Sequence, residues 1–137
     1  MAAYTKPKVI TLCGSTKFKD DFIHANFKLT MAGFIVISVG WFSHADGQSY
    51  TPTAQEKMQL DVLHKRKIDI SDAVVLIDKE GYIGDSTKGE VRYAIDRNIP
   101  IFQWRHVFHE DGKVRGEFVD KFDPMWNIGH LDHYNIV

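Results

Sequence analysis

The chain has 137 residues, 44% hydrophobic and 26% charged, with Lys+Arg 17 against Asp+Glu 18 and a formal net charge of -1. That length fits one domain over residues 1–137, and the composition excludes collagen-like, disordered and disulfide-scaffold chains. The charge balance removes the usual electrostatic footprint for gripping a nucleic acid polymer or an anionic membrane, and a single cysteine forms no internal disulfide.

The first eight residues hold no apolar core of the kind a secretory leader carries. No run approaches the roughly 18–20 apolar residues of a membrane span. A cytoplasmic protein is expected. The first element is a strand, Val9-Ile10-Thr11-Leu12, with Cys13 as a small buried hydrophobe at its end. Gly14-Ser15-Thr16 follows, then a helix from about Lys17 to Met31. Phe18, Phe22, Ala25 and Leu29 fall at i, i+4, i+7 and i+11 and form its apolar stripe. Gly33 supplies the stop, and residues 34–39 read as a second strand.

Thr53 with Glu56 three residues later spells a capping box for a helix running to about Ile70. Met58, Val62, Lys65 and Asp69 line one of its sides. Residues 73–77 are an unbroken apolar run, the signature of a strand covered on both faces in a parallel sheet. A helix from about Thr87 to Asn98 and a strand at residues 100–102 complete the alternation. Strand and helix in turn predict a doubly wound, mainly parallel, flavodoxin-like or Rossmann-like α/β fold with helices on both faces. Beyond Trp104 the pattern weakens into an irregular segment with a turn at Asp111-Gly112 and the aromatics Phe118, Phe122, Trp126 and Tyr134.

Ligands of such sheets bind outside the carboxyl ends of the strands, where strand order reverses. Gly14, Ser15, Thr16 and Lys17 set a glycine, two hydroxyls and a cation there, at a helix start that suits an anion. The same hydroxyls also suit plain helix capping. The spacing is not that of a P-loop. After the third strand, Gly84, Asp85, Ser86 and Thr87 open a helix in which Glu90 follows Gly89. A carboxylate in that position suits attack on a sugar's anomeric carbon, and equally suits a partner for the helix dipole. Trp41 and Phe42 offer faces for stacking a base, or a plug for the core. His44 and Asp46 lack an identifiable third ligand, so no metal or other cofactor is expected.

Taken together, Leu12-Cys13-Gly14-Ser15, then residues 68–75 around Ser71-Asp72, then Gly84-Asp85-Ser86-Thr87-Lys88-Gly89-Glu90 with Tyr93-Ala94 resemble the nucleoside 2-deoxyribosyltransferase superfamily over about residues 8–104. The resemblance implies an enzyme acting on N-glycosidic bonds, with Glu90 as nucleophile. It further implies Ser15 and Lys17 on a 5′-phosphate, Ser86 and Thr87 on phosphate or sugar, and Asp85 on a ribose hydroxyl. It also implies a homodimer or higher homo-oligomer whose pockets are completed across an interface. Where the family carries an aspartate eight residues before Asp72, this chain has His64. An imidazolium there is a competent proton donor near neutral pH, and Asp61 lies one turn earlier on the same helical face. His64 is equally compatible with a surface position.

Three activities remain open on these residues. The leading one is hydrolysis of a nucleoside 5′-monophosphate. The others are transfer of deoxyribose between free nucleosides and bases, and nucleotide or ADP-ribose-type binding without turnover.

Overall fold

The aliphatic run after Lys8 forms β1 (Val9–Gly14), the first strand of a computed structural model that describes residues 7–43, 45 and 50–104. A single 3₁₀ turn, Thr16–Phe18, precedes α1 (Lys19–Met31), so the α-helix begins two residues later than its periodicity suggests. The Ser15 hydroxyl accepts from the backbone N–H of Lys17 and draws that turn tight. Gly33, at φ +98°, lets the chain leave the helix.

Only residues 35–37 pair as β2 (Ile35–Ile37), a shorter strand than the apolar run because its partner register covers Val9 to Thr11 alone. The Thr53–Glu56 capping box forms and starts α2 (Ala54–Asp69). Next come β3 (Ala73–Ile77), α3 (Asp85–Asp96) and β4 (Ile101–Gln103). The expected turn at Asp111-Gly112 and the aromatic tail lie outside the described residues, as does His44.

The strands form one parallel sheet in the order β2-β1-β3-β4, the doubly wound α/β arrangement. From β1 the chain first moves outward to β2, then crosses back to β3. The reversal therefore falls between β1 and β3, whose carboxyl ends meet where Cys13 pairs with Leu76 and Gly14 with Ile77.

Alternation along β3 divides the core. Ala73, Val75 and Ile77 pack with Phe22, Ala25 and Leu29 of α1. Val74 and Leu76 pack on the other face with Ile68 of α2 and with Val91 and Ala94 of α3. Each large apolar side chain fully buried in these layers contributes about 1.5–3 kcal/mol. Cys13 belongs to the α2/α3 layer, as a buried residue should, yet it is not surrounded by hydrocarbon alone.

The Ser71-Asp72 pair fastens α2 to the sheet. Ser71 Oγ lies 2.6 Å from Thr11 Oγ1, and Asp72 Oδ2 accepts from the Val9 N–H at 2.7 Å. The Asp72 N–H returns a bond to the Val9 carbonyl. The pair sets where α2 ends relative to β1, and hence how high His64 stands over the sheet edge.

Candidate functional site

Three elements converge at the carboxyl end of β1. Cys13 comes from β1, His64 from the third turn of α2, and Glu90 from the second turn of α3. Because α3 starts at Asp85, Glu90 lies beyond the first turn, where the helix dipole acts most strongly. His64 Nε2 stands 3.4 Å from Glu90 Oε2 and 3.4 Å from Cys13 Sγ. His64 is buried at 8% exposure, which removes the reading of a surface histidine.

Burial sets the charges. It pushes the Glu90 carboxyl up to about 8, and the nearby Asp61 charge raises it further, while the Cys13 hydrogen bond and the cations Lys65 and Lys67 pull it down. Burial holds His64 down at about 4, helped by Lys67. At neutral pH the imidazole is therefore uncharged, which corrects the expectation of an imidazolium donor. The Cys13 thiol is raised well above its ordinary value, by burial first and then by Glu90, so it is no thiolate nucleophile. Three neutral, proton-bearing or proton-accepting groups face one another in a nearly dry corner.

In front of that corner lies a cavity of about 300 Å³, lined by Lys57, Asp61, Lys65, Asp85, Ser86, Gly89 and Glu90. Its size is at the lower end of the roughly 300–1,000 Å³ of small-molecule sites. Lys57, Asp61 and Lys65 recur every fourth residue along α2 and form its wall on that side. Gly89 leaves the opposite wall open, since nothing lies within 4 Å of a Cβ built on it. Glu90 thus has Cys13 and His64 behind it and open space in front.

The other expected contacts are dispersed. Gly14 is the last residue of β1, and a Cβ there would sit 2.5 Å from the Ile77 carbonyl oxygen, so close strand approach explains the glycine. Ser15 caps its own turn. Lys17 lays its ammonium 3.4 Å from the centroid of the Tyr82 ring. Neither they nor Thr16 line the cavity. Thr87 is buried and Gly84 is the N-cap position of α3, whereas Asp85 and Ser86 do face the cavity. Phe42 packs edge-on against Phe22 at 5.5 Å as part of the α1-side core. Trp41 lies 6.2 Å from the Tyr50 ring, away from the cavity lining.

Sequence reasoning missed Lys57 and Lys65 as lining residues, although their spacing with Asp61 marks one face of α2. It also missed Cys13 as a partner of His64. That proximity depends on α2 crossing the end of β1, which no local pattern encodes. No helix among the described residues is long and apolar enough to cross a membrane. No family model matches the chain, and no curated protein or solved structure matches it either.

Proposed function

We propose that the protein hydrolyses the N-glycosidic bond of a nucleoside 5′-monophosphate through Glu90. The observation that carries this reading is a carboxyl group at the reversal point of the sheet, open to a cavity in front and backed by a proton acceptor 3.4 Å away. Attack on C1′ needs the carboxylate, so Glu90 first gives its proton to His64 Nε2. The carboxylate then forms the bond to C1′ as the bond to the base nitrogen breaks. The departing base takes up that same proton, relayed from His64 by Asp61 one turn away on α2. Water afterwards hydrolyses the glycosyl ester. Lys57 and Lys65 supply the positive charge that favours a monophosphate over a free nucleoside, a role the sequence had suggested for Lys17.

The test is release of free base from a panel of nucleosides and their 5′-monophosphates, followed by chromatography with and without an acceptor base. Release from a monophosphate without acceptor, lowered on the order of 10³-fold or more in Glu90→Gln, supports the reading. Undiminished release in that variant overturns it, and a strict need for acceptor makes the protein a transferase. A second reading draws on Glu90 being protonated in the free protein. A nucleotide-binding protein without turnover would show ligand-dependent melting shifts and no base. For the assembly, we propose a homo-oligomer. Met58, Leu60, Val62 and Leu63 are exposed on α2, the helix that carries Asp61 and His64.

A further inference from the structure

The side chains of Cys13, His64 and Glu90 have a chemistry that glycosidic cleavage does not exhaust. Sγ, Nε2 and a carboxylate oxygen all lie within 4.8 Å of one another. The two separations from Nε2 are both 3.4 Å. Zinc bonds of about 2.3 Å to sulfur and about 2.0–2.2 Å to nitrogen and oxygen, at tetrahedral angles, require ligand–ligand separations of roughly 3.3–3.6 Å. Two of the three edges already stand at 3.4 Å and the third, between Cys13 and Glu90, lies within 4.8 Å, so a shift on the order of 1 Å closes the three donors, each on a different element, around one ion.

We propose that Cys13, His64 and Glu90 form a three-donor site for Zn²⁺, with the fourth coordination position open toward the cavity lined by Asp61 and Ser86. The donor set selects the metal. A thiolate and an imidazole suit zinc or cobalt, whereas Mg²⁺ and Ca²⁺ require oxygen ligands. On binding, the thiol proton of Cys13 and the carboxyl proton of Glu90 pass to solvent, and neutral His64 donates its Nε2 lone pair. A divalent ion with two monoanionic ligands is uncharged overall, the state a nearly dry corner tolerates best. Three protein ligands and one open position are the coordination of catalytic rather than structural zinc.

The site stands independently of the glycosidic reading. One consequence does rest on that reading: an ion bound to Glu90 withdraws the attacking carboxylate, so Zn²⁺ is a reversible inhibitor of base release.

The experiment is titration of the purified full chain with Co²⁺, followed by its visible absorption, with Zn²⁺ as competitor and circular dichroism as a folding control. Expected is one Co²⁺ per chain in an intense tetrahedral spectrum, with a thiolate-to-cobalt charge-transfer band, displaced by Zn²⁺ and unaffected by Mg²⁺. Cys13→Ser should abolish the charge-transfer band. Glu90→Gln, a near-isosteric change, should keep the band but weaken binding beyond the about 10–100-fold that outer-shell substitutions cost. A weak octahedral spectrum without the charge-transfer band overturns the site, as does affinity unchanged in Glu90→Gln. Should Cys13→Ser fail to fold, the wild-type spectrum and the Glu90→Gln affinity still decide. Base release that persists at saturating Zn²⁺ removes only the inhibitory consequence, and a protein that releases no base leaves the spectroscopic test intact.

Discussion

Glu90 and His64 share one proton over a wide pH range, because burial raises the first to about 8 and lowers the second to about 4. Unfolded, the two titrate near their ordinary values of 4.5 and 6.5. Between those values the folded and unfolded chains each bind one proton at the pair, so it contributes no slope to stability. From pH 6.5 to 8 the folded chain keeps the Glu90 proton while the unfolded chain has none. Stability therefore falls there as pH rises, by up to about 1.4 kcal/mol per unit. Urea midpoints measured from pH 5 to 8.5 should show this decline in the wild type and lose it in Glu90→Gln. Catalysis by the singly protonated pair predicts a bell-shaped kcat/KM profile with limbs near 4 and near 8. A rate that keeps climbing above 8 would mean that the Glu90 proton leaves to solvent and never reaches the base. Gly14 belongs to this scale too. Gly14→Ala places a methyl against the Ile77 carbonyl and should cost about 1–3 kcal/mol, read as a lowered thermal midpoint.

Among the elements, α2 shows where sequence reading succeeds and where it stops. Thr53, Glu56 and the end near Ile70 were legible, because capping is chemistry between near neighbours. The inward face was not. Met58 and Val62, which share one side with Lys65 and Asp69, are exposed, and the helix turns Lys57, Asp61, His64 and Ile68 toward the cavity and the sheet. A helix that builds a polar site breaks the apolar pattern at that site, and this is the place where pattern reasoning is expected to fail. Likewise Glu90 was legible as a candidate from its loop, while its partners Cys13 and His64 were joined only by the crossing of β1, α2 and α3. Two changes on α2 separate fold from function. Thr53→Ala removes the cap and should cost about 1 kcal/mol of stability. Lys57→Met with Lys65→Met should leave the melting temperature within a few degrees and raise KM for monophosphates more than for nucleosides.

For the molecule as a whole, alternation made the parallel α/β sheet legible and the all-apolar run marked β3 as a strand covered on both faces, whereas the order β2-β1-β3-β4 depends on which strands pair and is set by no local pattern. Assembly is the property least accessible to that logic, because an exposed apolar residue reads the same as a buried one in sequence. The proposed oligomer predicts that sedimentation equilibrium returns a multiple of 15.7 kDa. Leu63→Glu should shift that mass toward the single chain without lowering the urea midpoint, as expected for a residue already facing solvent.

β3 is hydrogen-bonded on both edges and covered on both faces, and α3 with Glu90 follows it after a short loop holding a 3₁₀ turn at Lys79–Gly81. Such a strand has no private route to solvent. Its amide protons should exchange with deuterium only when the sheet as a whole opens, whereas those of short β2, at the edge of the described sheet, should exchange through local fraying. On that expectation the corner of Cys13, His64 and Glu90 is anchored to the slowest-opening part of the described sheet. Weakening β3 itself should release the whole of that region at once, whereas weakening β2 should loosen only its own edge of the sheet.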